Sequence, residues 1–397
     1  MMKQVAFILL LLSSQLAFSA ENCLCPQQVL GSEIRMVFHL KTQKAPLAAF
    51  DNLNNNYFVA WTHTDDFITY RVQGQLFTAS GATITPIFEF DKNITARLSD
   101  VTYNSVTREF LISWITDKNL WTRQITYDGR SAGPNIRIAN FAALSSVNSF
   151  RVIFNSVLNE YLAVYDISKG KRSIIHLQRL DRFGKPIRRP FEQAGYQFIN
   201  PRAEFDPESN RYLLAWESQT FGSSRILYRT FNAFLQPLHA KAELQSPSNE
   251  EILPRIVYHP ILRQWIVFFQ DCFSCAPLRA RAILADGTQT SLFEMGLGPV
   301  DVRDIRFNPR TRGFVVLYET FQAKSPQFAR ISSSFTITDR NIPITCQPAR
   351  QTDSSSLLYN SVRGEFLVIW NFIDFAPSDE DVYALRIRAV PQGSCQR

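Results

Sequence analysis

Seven times along the chain, two aromatic residues stand seven positions apart and a third follows four positions later. The first aromatics are Phe50, Tyr103, Phe154, Phe205, Tyr258, Phe307 and Tyr359. The second are Tyr57, Phe110, Tyr161, Tyr212, Trp265, Phe314 and Phe366. The third are Trp61, Trp114, Tyr165, Trp216, Phe269, Tyr318 and Trp370. Successive copies are 49 to 53 residues apart. A period of this length means that one supersecondary unit is stacked on itself, and it constrains the fold more than any single motif.

Each copy reads as a hairpin. A turn opens after the first aromatic with Asp206-Pro207, His259-Pro260, Asn308-Pro309, or Asn-Ser at 104–105, 155–156 and 360–361. Asn and Asp bond their own backbone two residues on, and Pro presets φ, so these are turn residues for a physical reason. The strand after the turn is apolar without alternation, as in Phe314-Val315-Val316-Leu317. A strand with one wet face would alternate, so this one is covered on both sides.

A third strand follows and carries an Arg in each copy: Arg71, Arg123, Arg179, Arg229, Arg281, Arg330, Arg386. A short fourth strand comes next, as at Ile84 to Phe90 and Thr290 to Phe293. Four antiparallel strands per roughly 50-residue unit, buried on both faces, fit the blade of a β-propeller. The expected fold is all-β, a single seven-bladed propeller over residues 21–397. The last copy lacks a fourth strand, and a spare strand at Ile34 to Leu40 is expected to complete it and close the ring.

Residues 1–20 read as a secretory signal peptide: Lys3, then the apolar run Val5 to Leu12, then small residues at Ala17 and Ser19. Ser13-Ser14-Gln15 interrupts that run, and no later stretch is long and apolar enough for a membrane span. The expected location is secreted and extracellular. An even set of six cysteines, Cys23, Cys25, Cys272, Cys275, Cys346 and Cys395, then suggests disulfides. Cys272 and Cys275 share one loop and are expected to pair. Cys395 is expected to bond Cys23 or Cys25, with Cys346 taking the other. A zinc site would need a second ligand pair, which is not visible. Asn93-Ile94-Thr95 is the one N-glycosylation sequon, placing a candidate glycan on Asn93.

The chain carries 42 basic and 35 acidic side chains, a net +7. That balance is too mild for a nucleic-acid partner. A local basic run, Lys169 to Arg189, reads as a solvated face or a patch for an anionic surface. The five histidines fall in different copies, without metal-ligand spacing. No Gly-x-Ser-x-Gly, His-Glu-x-x-His or phosphate-loop motif occurs. No cofactor is expected.

The innermost strand of each blade lines the channel of any propeller. Three residues before the first aromatic, the seven copies hold Leu47, Asp100, Arg151, Arg202, Arg255, Asp304 and Ser356. Three successive blades thus present Arg, flanked by Asp on each side. Arg forks match carboxylate and sulfate geometry, so Arg151, Arg202 and Arg255, with Asp100 and Asp304 orienting the outer two, form the candidate ligand site. The competing reading is ion pairing that merely staples blades. A second acidic set, Asp166, Glu217, Asp271 and Glu319, follows the second strands and is expected on the same face.

The repeat resembles a β-propeller repeat family of extracellular proteins, whose pattern is roughly Ala-Tyr-Asn-Pro, a polar turn, Glu-Tyr-Leu-Val-Val-Trp, then Arg-Leu-Asp and a closing Gly. Asp206-Pro207 to Trp216 carries the first half and Gln178-Arg179-Leu180-Asp181-Arg182-Phe183-Gly184 the second. The resemblance implies blade structure over nearly the whole chain and no common catalytic residues. The expected function is a monomeric, non-enzymatic binding scaffold for an extracellular glycan or protein. The alternative is a polysaccharide hydrolase or lyase acting at the channel mouth.

Overall fold

The computed structural model describes residues 28–37, 42–91, 95–141, 145–170, 172–220, 223–246, 250–271, 277–298, 300–320, 326–345, 351–373 and 381–391. The six cysteines, Asn93, residues 1–20 and the end of the expected closing strand lie outside them.

Seven sheets of four antiparallel strands make up the chain. The innermost strands are Thr42–Asp51, Arg97–Asn104, Ser146–Asn155, Phe198–Asp206, Ile252–His259, Val300–Asn308 and Gln351–Asn360, numbered here as blades 1 to 7. In six blades the four strands follow one another in sequence. In blade 7 the outermost strand is Ile34–Val37, from the other end of the chain. It pairs antiparallel with Val382–Arg388, Ile34 opposite Ala384 and Val37 opposite Val382. The ring is therefore closed by the spare N-terminal strand, as its position in the sequence implied.

The second strands are buried on both faces, as their unbroken apolar pattern requires: Phe58 to Trp61 and Phe314 to Tyr318 are fully covered. Their side chains alternate between the two neighbouring gaps. Phe58 and Ala60 join Phe110, Ile112 and Trp114 between blades 1 and 2. Tyr57, Val59 and Trp61 join Val37, Leu367 and Ile369 between blades 7 and 1. The apolar clusters among the described residues occupy all seven gaps in this way. The core is thus a ring of inter-blade seams, and the aromatics of the repeat are its filling.

The turn residues behave as their chemistry predicts. Asn104 Oδ1 accepts from the Val106 and Thr107 amides, and Asn155 Oδ1 from Val157 and Leu158. His259 imitates them: Nδ1 accepts from the Leu262 amide and Nε2 donates to the Arg312 carbonyl. The imidazole is therefore a neutral turn residue, and burial depresses its pKa in keeping with that. Two of the repeated third-strand arginines have a structural role of the same kind. Arg179 grips Glu160 at 2.7 and 2.9 Å, and Arg386 grips Glu365 at 2.9 and 3.2 Å.

Candidate functional site

The innermost strands surround a channel of about 680 Å3. The position singled out by sequence is the same in every blade. Opposite it on the second strand stand Ala60, Ser113, Val164, Ala215, Phe268, Leu317 and Ile369, each three residues past the second aromatic. An irregularity in pairing ends at this position in five blades and one or two residues before it in blades 3 and 7. A bulge re-aims the neighbouring side chains, and this position and the residue two beyond it line the channel, as with Arg202 and Glu204.

Arg151, Arg202 and Arg255 come together on the channel wall, half-buried. Their hydrogen bonds go only to carbonyls. Arg151 donates to Ser99 O at 3.3 Å, Arg202 to its own Pro201 O at 3.1 Å, and Arg255 to Pro254 O at 3.5 Å and Val302 O at 3.3 Å. Among the described residues none of the three makes an ion pair. Burial, then Arg255 and Arg151, push the Arg202 guanidinium well below its usual pKa. Burial and Arg151 depress Arg255 in the same direction. A guanidinium does not give up its proton at ordinary pH, so the depression reflects first the cost of burying the charge and second the crowding of like charge, which a bound anion would relieve.

The flanking carboxylates do not orient the outer arginines as expected. Asp100 accepts from the Val101 amide and, across the gap, from the Val152 amide of blade 3, both at 2.9 Å. Asp304 accepts from Ile305 at 2.8 Å, from Leu357 of blade 7 at 3.0 Å, and from Arg306 at 3.1 Å. Each is an inter-blade staple, because a strand edge at the channel offers amides that a carboxylate bonds strongly. The other acidic set is engaged too. Asp166 accepts from Asn148 and the Ser149 amide, and Glu217 from Asn200, Gln219 and the Leu253 amide. Asp271 pairs with Arg279 and Glu319 with Arg303.

Three charged channel residues lie outside the sequence reading: Arg303, which pairs with Asp301 and Glu319, and Glu204 and Arg306. Glu204 and Arg306 lie two residues beyond the arginine position in blades 4 and 6 and also line the channel. Alternation along a strand returns the same side every second residue, which was the available signal. Glu204 has no hydrogen bond or ion pair among the described residues. Burial raises its carboxyl to about 7, against the lowering pull of Arg306 and with a further push from Asp304. Asp304, then Glu204 and Asp100, raise the half-exposed Arg306 against the opposing desolvation in the channel. The opposite wall is neutral, with Leu47, Ala49, Ser356 and Leu358 from blades 1 and 7. The channel is thus cationic on one side only.

No group of three or more metal-ligating side chains occurs among the described residues. No helix of the described chain is long and apolar enough to cross a membrane. No protein-family model and no curated protein matches the chain. Solved structures do. The β-propeller domain of the Trilobed protease from Pyrococcus furiosus, described as having an open velcro topology, is similar over 90% of this chain and 100% of its own, at 7% identity and a TM-score of 0.53. The Dos1 propeller is similar over 92% and 96%, at 8% identity and a TM-score of 0.51. Sqt1 from Chaetomium thermophilum is similar over 88% and 82%, at 11% identity and a TM-score of 0.50. At such identities the likeness is one of fold, and it makes this chain a β-propeller of seven four-stranded blades.

Proposed function

We propose that this chain is a secreted binding scaffold whose channel takes an acidic group of an extracellular glycan or protein. One observation carries the reading: Arg151, Arg202 and Arg255 converge on the channel with carbonyl partners only. Three guanidinium groups held together without an ion pair among the described residues are costly unless an anion shares the site. Forked donors favour carboxylate or sulfate. Secretion rests on the signal-peptide pattern of residues 1–20, and the disulfides and the Asn93 glycan would follow from it. The test is a glycan array with sulfated and carboxylated members, probed with the protein and with Arg202→Ala. Binding confined to neutral sugars, or unaffected by the substitution, would sink the reading.

A second reading keeps the channel but adds turnover. Glu204 favours it, since a carboxyl raised to about 7 beside a channel is suited to general acid work. Hydrolysis of an array-positive glycan, lost in Glu204→Gln, would establish this alternative.

A further inference from the structure

The turns between first and second strands form one annulus at the end of the channel away from the bulges. Neighbouring turns are bonded side to side. Asn104 Nδ2 donates to Asn159 Oδ1 at 2.8 Å, Asn155 to Asn210 at 3.2 Å, and Asn360 to Asn55 at 3.0 Å. Arg263 pairs with Glu208 at 2.7 Å. The third residue of the turn stands outermost. In five blades it is aliphatic: Leu53, Val106, Val157, Ile261 and Val362, with exposures of 54, 55, 52, 52 and 53%. Singly exposed apolar residues are ordinary. The same tip in five of seven blades, equally exposed, is a repeated apolar feature of one face, interrupted by Glu208 in blade 4 and Arg310 in blade 6.

The tips are interleaved with cations. The fifth residue of each turn has positive φ, between 52 and 66°. Asn and Gly suit that conformation best, and Asn55, Asn159, Asn210 and Gly364 follow the rule. Blades 2, 5 and 6 carry Arg108, Arg263 and Arg312 there, against the backbone preference. Arg310 and Arg363 add two more exposed arginines, and Glu208 is the one exposed carboxylate in the turns. Among the described residues Arg108, Arg310 and Arg312 have no carboxylate within ion-pair distance.

We infer that this annulus docks on an anionic lipid bilayer, the aliphatic tips entering the boundary between headgroups and acyl chains and the arginines meeting lipid phosphates and carboxylates. Pseudo-sevenfold repetition sets the tips at one height, so a plane touches all of them together. A second copy is disfavoured by charge, since five arginines against one glutamate would face their own like. Apolar insertion combined with basic residues is the physical recipe for reversible binding at a membrane surface. None of the turn tips or turn arginines belongs to the arginine site, which stands mid-strand in the channel. The inference is therefore independent of the function proposed above.

The test is co-sedimentation of the full chain with phosphatidylcholine vesicles, with and without phosphatidylserine. Binding is expected only with phosphatidylserine and is expected to weaken as salt rises. Val106→Asp combined with Ile261→Asp should reduce partitioning at least ten-fold. Arg108→Asn combined with Arg312→Asn should also reduce it, and the backbone favours Asn at both positions, so the fold is safe. Arg202→Ala should leave it unchanged. Absence of binding to either vesicle, or binding indifferent to the turn substitutions, overturns the inference. A dimer in solution that Ile261→Asp dissociates would also overturn it, by assigning the annulus to self-association.

Discussion

Asn360, in the turn of the last blade, donates from Nδ2 to the Tyr57 hydroxyl of the first blade at 2.9 Å. The same contact recurs inside the ring, where Asn155 donates to Tyr212 at 2.8 Å. Where the turn residue is Asp the tyrosine moves. The Asp51 carboxylate accepts from Tyr103 at 2.6 Å, and Asp206 lies against the Tyr258 hydroxyl. So Asn155 and Asn360 go with Tyr at the second aromatic position of the next blade, and Asp51 and Asp206 with Tyr at the first, while Asn308 faces Phe366 and donates to the Ala389 carbonyl instead. The seam where the chain closes uses the same bond as a seam within it.

Tyr57→Phe should therefore lower stability by about 1 kcal/mol, the ordinary worth of a buried hydrogen bond. Asn360 keeps Asn55 as a partner, which limits the loss. Tyr103→Phe should cost more, because a bond to a buried carboxylate is worth more than one between neutral groups, even though Asp51 keeps Leu53 and Asn54 as donors. Thermal unfolding of the two variants checks the order. Equal losses would mean that acceptor charge does not matter at these seams.

Anion binding is the second expectation. Inorganic sulfate keeps its charge across the working pH range and can serve as a minimal probe. It should raise the melting temperature of the protein, and Arg202→Ala should weaken that effect roughly ten-fold or more, since each charge-assisted contact contributes about 1.5–3 kcal/mol. Without sulfate the same variant should melt no lower, because removing one of three crowded cations relieves repulsion. A large drop in melting temperature with sulfate binding intact would make Arg202 a staple.

The sequence carried the blades because their cause is local and repeated. Aromatics at fixed spacing, turn-forming Asn, Asp and Pro, and unbroken apolar strands act within each copy. It also carried closure, since one copy lacked a strand and Ile34–Val37 was spare. The arginine position was legible as a divergence among seven equivalent places. The roles of Asp100 and Asp304 were not, because their partners are backbone amides of the next blade, fifty residues away in sequence. Amides carry no residue-type signal. Glu204 and Arg306 were missed because only one position per blade was compared.

The pH dependence of stability follows from two carboxyls. Burial raises both Glu204 and Glu251 to about 7, from 4.5 when exposed. Below about pH 4.5 both are protonated in either state and contribute no difference. Between 4.5 and 7 the native state holds protons that the unfolded chain has released, so stability falls as pH rises. Above 7 the loss is complete. Glu204→Gln should raise the melting temperature at pH 8 and change it little at pH 4.5. The opposite sign would mean that Glu204 is held ionised by Arg306.

Closure supplies the last prediction. Val37 is 2% exposed in the seam formed with Trp61, Ile369 and Val382. Val37→Asp puts a charge in that seam and should cost several kcal/mol. Ile138 occupies a comparable place in blade 2, on the outermost strand, and is 8% exposed. Its strand is tethered at both ends by the chain, whereas Ile34–Val37, once the expected disulfides are reduced, is held to the rest of blade 7 by non-covalent contacts. The two Asp substitutions should therefore differ in kind. At Val37 the outer strand should detach first and leave Val382–Arg388 as an unpaired edge, open to association with other chains. At Ile138 the ring should unfold as a unit. Hydrogen exchange distinguishes the two: Val37→Asp should strip protection from Val382–Arg388 before the other blades. Simultaneous loss of protection around the ring in both variants would show that the closing strand is no weaker than a strand within the chain.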